Sequence, residues 1–491
     1  MWDFDKFADR KAILDEYQRS VTYAELISFG KEVKAAVKRR CLVFALCENS
    51  IGSVAGYAAF INNKIVPVLL NAGMDRGLLD NLLKAYCPSY LWVPKHLTDE
   101  STATGEFSEL LSGAHVLEKY DYVLIKTEYE EEYPLYEKLC LLLTTSGSTG
   151  SPKFVRQSYD NVLANAESIA AYLELDETQR PITTLPMNYT YGLSIINSHF
   201  LVGATILVTD KGLMQKEFWN FFKSEGATSF GGVPYTYEML NKLRIFRMEL
   251  PSLEYMTQAG GKITPELHRK FAEYAASVGK KFIVMYGQCE ATARMGYLPA
   301  DMALEKCGSM GIAIPGGKFT LIDVDDKEIT EPEIAGELVY EGANVTLGYA
   351  ECGKDLQKGD ERGGILRTGD VAKRDADGYY YIVGRMKRFL KIYGNRVNLD
   401  ETDRLIKGRF EGLDVASAGV DDHMYIFISK ESVGEANGAD ASCEETAALV
   451  RDFVAHTTKL NPSAFKVKII DLIPKNDAGK TLYKELAKYY E

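Results

Sequence analysis

What the chain lacks narrows its function first. No window holds the roughly 18 to 20 uninterrupted apolar residues of a membrane-spanning helix, so no integral membrane segment is expected. The opening stretch MWDFDKFADRKAILDEYQRS is charged from Asp3 onward and has no apolar core of the signal-peptide kind. A cytoplasmic protein is therefore expected. Low-complexity tracts and internal repeats are absent. The eight cysteines, at 41, 47, 87, 140, 289, 307, 352 and 443, form no C-x-x-C pair and no metal-ligand spacing. Such isolated cysteines read as small core residues in a reducing compartment. Positive charge is in deficit, with 57 Lys and Arg against 69 Asp and Glu and a net charge of −12. That balance argues against nucleic acid or an anionic membrane surface as the main partner.

What is present is a globular composition, 46% hydrophobic and 26% charged, spread over 491 residues. That length exceeds one compact core, so two or more domains are expected. Up to about 385 the fold class reads as α/β. The runs CLVFAL (41–46), KIVPVLL (64–70), ATILVTD (204–210) and KFIVMYG (281–287) alternate with helical stretches. Continuous apolar runs of this length suit strands of a sheet covered on both faces. From about 319 shorter segments separated by Asp and Gly turns (FTLIDVDD, GELVYEG, GYYYIVGR) read as antiparallel hairpins forming a small β-barrel-like part. Beyond Gly384-Arg385 about 100 residues carry their own strands and helices, enough for a small α+β domain. The expected domains are therefore 1–385 and 386–491. Residues 429–442, SKESVGEANGADAS, read as a mobile surface loop.

The most informative segment is Leu141 to Lys153, LLLTTSGSTGSPK. An apolar strand runs into a turn with Thr145, Ser146, Gly147, Ser148, Thr149 and Gly150, and a helix-like stretch follows. Glycines let backbone N–H groups approach an anion, hydroxyls donate to phosphate oxygens, and Lys153 adds positive charge. It is not a Walker A loop. Ser148 and Thr149 alone separate the two glycines, and Pro152 precedes the lysine, whereas that loop needs four residues between glycines and ends in Gly-Lys-Ser/Thr. P-loop kinases and ATPases are thereby disfavoured.

Thr-Ser-Gly-Ser-Thr-Gly-Ser-Pro-Lys resembles the signature loop of the adenylate-forming superfamily, which includes acyl-CoA synthetases, peptide-synthetase adenylation domains and beetle luciferase. Further blocks follow in that family's order. Thr22-Tyr-Ala-Glu-Leu26 is similar to its T-Y-x-E-L element, and Leu185 to Leu193 to a segment lining the acyl pocket. Ala259-Gly260-Gly261-Lys262 resembles the glycine turn that packs on adenine, and Tyr286-Gly287-Gln288-Cys289-Glu290 resembles Y-G-x-T-E. Gly336 to Gly342, Leu347-Gly-Tyr349, Arg367-Thr-Gly-Asp370 and Gly378 to Arg385 match later blocks. Ile392 to Val397 and Pro474 to Thr481 resemble the family's two C-terminal loops.

The resemblance implies ATP-dependent activation of a small-molecule carboxylic acid as an acyl-adenylate, then transfer to a thiol, with CoA the first expectation. It implies Lys480 as the adenylation lysine, Glu290 as the ligand of Mg²⁺, and Tyr286 stacked on adenine. Asp370 would accept from the ribose hydroxyls, Arg385 would contact ribose or phosphate, Arg396 would serve an anion, and Lys387 would be the pivot of a mobile C-terminal domain. Gly394 would let a pantetheine arm pass. Tyr189, Tyr191, Gly192, Val233, Pro234 and Tyr235 would form the acyl pocket, although core packing explains at least two tyrosines of the 189, 191, 235 and 237 cluster equally well.

The chain departs from the pattern in places. Cys289 stands where the family usually has Thr, and a thiol is a weaker donor. Tyr189 replaces a His common in fatty-acyl and aryl ligases. Gly192 replaces the Asp that binds an amino-acid ammonium, which disfavours α-amino acids. Transfer to an amine or to a carrier-protein phosphopantetheine acting in trans stays open, as do a luciferase-like oxygenase and a non-catalytic adenylate-binding relative.

Overall fold

The strand Leu42–Cys47 shows why the N-terminal part forms a covered sheet. Val43, Ala45 and Cys47 join one apolar cluster with Tyr57 and Phe60 of the helix Ile51–Asn62. Leu42, Phe44 and Leu46 join another with Leu79, Leu82 and Leu83 of the helix Arg76–Tyr86. Successive strand residues point to opposite faces, so a strand buried on both must be apolar throughout.

The computed structural model describes residues 1–98, 113–129, 133–144, 153–392, 395–420, 422–436, 442–458, 460–476 and 481–490. At 387, 389, 391, 395, 396 and 434–436 the description is of backbone alone. The chain divides into two compact units, Met1–Phe319 with Tyr340–Leu366, and Thr320–Val339 with Arg367–Glu491.

The first unit contains an eight-stranded sheet with Leu42–Cys47 near its middle, in parallel with Val66–Asn71 and Tyr90–Pro94. Towards one edge Leu139–Thr144 runs antiparallel to Phe154–Ser158, with Thr144 opposite Phe154. These strands flank the Ser/Gly-rich segment. A second, nine-stranded sheet has a parallel centre of Ile206–Val208, Pro181–Ile182, Ser229–Gly232, Tyr255–Gln258 and Lys281–Tyr286. The helices Tyr159–Leu173 and Thr190–Val202 cover part of it, packing Ile169, Leu173 and Tyr191 with Tyr255, Ile283 and Met285.

The T-Y-x-E-L element has a structural explanation. Thr22 caps the helix Tyr23–Val37: its hydroxyl accepts from the Glu25 N–H at 3.2 Å, and the Glu25 carboxylate accepts from the Thr22 N–H at 2.7 Å. This reciprocal pair satisfies two helix-end donors. The Tyr23 hydroxyl, fully buried, donates to the Ala204 carbonyl at 2.6 Å.

The hairpin-rich stretch forms a four-stranded sheet of Gly317–Ile322, Gly336–Gly342, Ile365–Arg374 and Tyr380–Arg385, most of it in the second unit. The second unit also has a mixed sheet of Val415–Val420, His423–Ser429 and Phe465–Ile470. One face buries Ile426 and Ile428 against Ile406, Val450 and Val454 of the helices Leu399–Arg409 and Cys443–Thr458. The boundary expected near 385–387 falls inside this unit, at the single turn Met386–Arg388.

The loop expected at 429–442 is corrected in part. Ser429 ends a strand and Lys430–Ala436 is helical. Val433 is buried, and the Ser432 hydroxyl donates to the Ser429 carbonyl at 2.7 Å, so one apolar anchor outweighs a polar composition. Among the described residues no helix is long and apolar enough to cross a membrane.

Candidate active site

The turn after the strand Lys281–Tyr286 carries much of the site. A Cβ at Gly287 would lie 1.6 Å from the Ala293 carbonyl oxygen, so the chain doubles back more closely than any other residue allows. The return is pinned from outside. Asn344 Nδ2 donates to the carbonyls of Ala291 and Arg294 at 2.8 Å, and Asn165 Nδ2 reaches Arg294 O at 3.0 Å. The Thr292 hydroxyl donates to Asn344 O at 2.7 Å. This scaffold holds Glu290 near one end of the turn and Arg294 near the other.

Around Glu290 the structure gathers a set of charged and phenolic groups. Tyr349 Oη donates to Glu290 Oε1 at 2.8 Å. Lys153 Nζ lies 3.7 Å from the centre of the Tyr349 ring, and the Arg362 guanidinium carbon lies 4.8 Å from it. Arg362 Nη1 also donates to the Glu290 carbonyl at 3.0 Å. Burial, reinforced by the Glu290 carboxylate, pushes the Tyr349 phenol up to about 12, so it remains a donor. Behind this cluster Arg156 is fully buried and donates to the carbonyls of Tyr349, Leu347 and Gly359 at 3.0, 3.1 and 3.2 Å, while pairing with Glu361. The Cys289 thiol points at Thr144 O, 3.8 Å away, at the foot of the Ser/Gly-rich segment. Thr145, Ser146, Gly147, Ser148, Thr149 and Gly150 themselves lie outside the described residues.

Among the described residues no group of three or more His, Cys, Asp or Glu is arranged to hold a metal. Mg²⁺ in phosphate sites keeps water and substrate oxygens and needs only one or two carboxylates. The hard oxygen donor of Glu290, with Lys153 close by, fits such an ion arriving with a polyphosphate.

A second wall forms where the strand Tyr255–Gln258 ends. Gly260 has φ +83°, and a Cβ there would come within 2.7 Å of Tyr189 Oη and 3.0 Å of Val233 Cγ1. A Cβ on Gly261 would meet Pro234 Cγ at 3.1 Å. Tyr189, Val233, Pro234 and the two glycines are thus one contiguous surface, with exposed Lys262 following. Fully buried Gln258 donates to the Gly261 carbonyl at 2.9 Å and fixes the turn. Tyr286 ends the neighbouring strand.

The tyrosines expected in the acyl pocket separate. Tyr191 and Tyr237 are buried, and their hydroxyls donate to Thr257 O at 2.8 and 2.6 Å. Tyr235 is 54% exposed and does not line the cavity under Tyr191. Gly192 lets the helix Thr190–Val202 lie against Pro186, whose carbonyl oxygen would be 2.3 Å from any Cβ there. Beneath Tyr191 is a narrow cavity bounded by Ser194, His199, Gly231, Thr257 and Arg294. His199 Nδ1 donates to Ile195 O at 2.7 Å and Nε2 lies 3.1 Å from Tyr255 Oη. Burial lowers its imidazole to about 4, which keeps it neutral.

In the second unit, buried Asp370 faces Arg385 across the strand pair, with Arg385 Nε 3.3 Å from Asp370 Oδ1. Lys387 lies in the turn Met386–Arg388. Arg388 is buried, donating to Asp400, Asp403 and Ser417 O at 2.8, 3.1 and 2.5 Å, with Tyr483 stacked 3.7 Å away. Arg396 stands opposite Lys391 in a two-stranded antiparallel ribbon, and Gly394 lies outside the described residues. So does Lys480, although Lys475 bridges to Thr481 and Leu482 N–H donates to Pro474 O at 2.8 Å, closing the base of its segment.

Tyr349, Arg362, Asn344 and Arg294 are additions that motif reading did not assign. Tyr349 stands in the block Leu347-Gly-Tyr349 without a role assigned to it, and Arg294 is a lone basic residue in the stretch ATARMGYL.

The fold is that of solved adenylate-forming structures. Across 97% of this chain and 96% of the other it aligns with O-succinylbenzoate coenzyme A synthetase from Bacillus subtilis in complex with ATP and magnesium, with a TM-score of 0.75. Identity there is 21%, so the likeness establishes architecture. Residues 2–350 match the AMP-binding enzyme family, and the chain belongs to that family. The resemblance read from the motifs is thereby borne out. Among curated relatives, an oxalate–CoA ligase of Arabidopsis thaliana is 27% identical over 71% of this chain and 67% of its own length. A sulfoacetate–CoA ligase of Cupriavidus necator is 30% identical over 58% of this chain and 55% of its own length. The matched stretch thus spans roughly half to two thirds of these relatives.

Proposed function

We propose that the chain joins a carboxylic acid to CoA at the expense of ATP, through an acyl-adenylate. The observation that carries this reading is the meeting of Lys153, Tyr349, Arg362 and Glu290 at the foot of the Ser/Gly-rich segment. The CoA-ligase names of the relatives support it. In the first step a carboxylate oxygen bonds to the α-phosphorus, the bond from that phosphorus to the β-bridging oxygen breaks, and pyrophosphate leaves. In the second, the thiol sulfur bonds to the acyl carbon, the bond from that carbon to the phosphate oxygen breaks, AMP departs, and the thiol proton goes to solvent.

Two anions meet in the first step, so its barrier is largely electrostatic and positioned cations lower it. Lys153 and Lys480 supply charge to the phosphates, and Glu290 gives an oxygen ligand for Mg²⁺, which when bound neutralises charge on the phosphate oxygens. Tyr349 orients that carboxylate and Arg362 anchors its backbone. Gly260, Gly261 and Tyr286 receive adenine, Asp370 the ribose, and Arg385 the phosphate side. The functional division is 1–385 and 386–491 with a pivot at Lys387, and the compartment is the cytoplasm. Gly394 and Arg396 serve the thioester step.

A pyrophosphate-release screen across carboxylic acids, with and without CoA, tests this. Acid-dependent release is expected, with thioester formed only when CoA is present. Lys480→Ala is expected to remove acid-dependent pyrophosphate exchange from a folded protein, and near-normal exchange in that variant would overturn the assignment. Release without thioester would move the acceptor to a carrier protein or an amine.

A further inference from the structure

Among the described residues three arginines are more than nine-tenths buried: Arg156, Arg294 and Arg388. Two are saturated by oxygen. Arg156 has four carbonyls and Glu361, and Arg388 has Asp400, Asp403 and a carbonyl. Arg294, 3% exposed, differs from both. Among the described residues it pairs with no carboxylate, and its Nε has no hydrogen-bond partner. Its guanidinium lies 3.9 Å from the Tyr191 ring centre and hydrogen-bonds the Tyr172 phenol. One phenol and an aromatic face attract a guanidinium but do not satisfy its whole fork of N–H donors. A buried cation is normally paired.

Arg294 also faces the cavity under Tyr191, which leaves about 20 Å³ for the centres of water-sized groups. Space of that size takes roughly one or two waters or one small polar group. Ser194 and Thr257 line it with hydroxyls, and neutral His199 adds no positive charge. The Arg294 carbonyl is fixed by Asn165 and Asn344, so the side chain rises from a rigid turn that also carries Glu290. One end of this turn therefore serves the nucleotide in the reading above, and the other offers positive charge without an opposite charge beside it in a small, mostly apolar cavity.

We infer that the acid substrate is short and carries a second anionic group, which Arg294 holds as a specificity-determining residue. The inference rests on the acid–CoA ligase reading. The second anion completes the guanidinium fork, and the reacting carboxylate points back toward the phosphates. A monoacid of equal length leaves the guanidinium unpaired in a dry site, which is how sites built around polar contacts reject an analogue that lacks one. The shared chemistry is an anion on a short chain, either a carboxylate or a sulfonate.

The experiment measures pyrophosphate release by the full-length protein with ATP and Mg²⁺. The acids are malonate, succinate and glutarate, their monoacid counterparts propionate, butyrate and valerate, and 3-sulfopropionate. Expected is a kcat/KM preference for one dianion over its monoacid on the order of 10²-fold, with the sulfonate arm showing which anion fits. In Arg294→Gln that preference should collapse to about unity, mainly through KM, and Arg294→Lys should restore part of it. Monoacids used as well as dianions by the unaltered protein, or equal losses for both classes in Arg294→Gln, would overturn the inference while leaving the ligase reading intact. Should Arg294→Gln not fold, the preference of the unaltered protein decides alone. Should no acid release pyrophosphate, the ligase reading fails. The inference is then judged by thermal shift of the ATP-loaded protein, where stabilisation by monoacids equal to that by dianions overturns it.

Discussion

Glu290 is held at two levels. Its carboxylate accepts from Tyr349, and its backbone carbonyl accepts from Arg362, from the Thr346 N–H and from the Thr346 hydroxyl. A group so positioned loses little on binding a cation–phosphate complex, which is the physical basis of preorganised catalysis. Glu290→Gln keeps size and polarity but removes the charge. Pyrophosphate exchange is expected to fall on the order of 10²- to 10³-fold, with near-normal thermal stability, and a loss under threefold would remove Glu290 from the metal role. At Gly287 the expected defect is structural. Gly287→Ala places a Cβ against the Ala293 carbonyl, so the turn bearing both Glu290 and Arg294 must shift, and both nucleotide binding and melting temperature should drop. Glu290, Tyr286 and the Gly260 turn were legible because each sits at a strand end in a recognisable local string. Tyr349 and Arg362 were not, because their roles arise only when the chain returns some sixty to seventy residues later to the Glu290 turn.

Elements were legible where periodicity and caps agreed. Cys443–Thr458 matches the helical string CEETAALVRDFVAHTT, and Lys281–Tyr286 follows the apolar run that announces it. At Lys430–Ala436 a Ser, Gly and Glu composition hid a helix that tertiary burial of Val433 sustains. Caps allow a direct check. Thr22→Ala removes the hydroxyl that accepts at the start of Tyr23–Val37 and should cost about 1 kcal/mol of stability, read by chemical denaturation. The helix Leu399–Arg409 carries a pH-dependent contribution. Burial pushes the Asp403 carboxyl up to about 6, with the Arg388 guanidinium acting against it. The folded chain therefore keeps a proton that the unfolded chain has released once pH exceeds the ordinary carboxylate value. Stability from this group is full below that value and falls as pH rises to about 6, by at most about 3 kcal/mol. Asp403→Asn has no such titration. Hydrogen exchange of Val415–Val420 amides at pH 4.5 and 7 should show the unaltered protein losing protection relative to Asp403→Asn. A constant difference between the two would refute the assignment.

At the scale of the whole molecule, the pivot proposed at Lys387 is supported by which side chains are anchored on either side of it. Arg385 is tied across its strand pair to Asp370, and Arg388 is locked by Asp400, Asp403, Ser417 and Tyr483. Between these anchors lie Met386 and Lys387, the shortest stretch whose torsions can change without breaking either. Sequence resemblance pointed to Lys387, but the anchoring of Arg388 comes from helix Leu399–Arg409 and from the chain beyond Thr481, which no local reading of 385–388 reveals. A proline at 387 suits the φ of the single turn present there and also restricts Met386, so it should hold the chain as described while opposing rearrangement. Lys387→Pro is expected to keep acid-dependent pyrophosphate exchange within about threefold of the unaltered protein and to slow thioester formation at least tenfold, magnitudes on the order expected when a conformational step becomes limiting. Single-turnover measurements of each half-reaction separate these outcomes. If both steps fall together, the torsions at 387 do not divide the reaction and the pivot lies elsewhere in the chain.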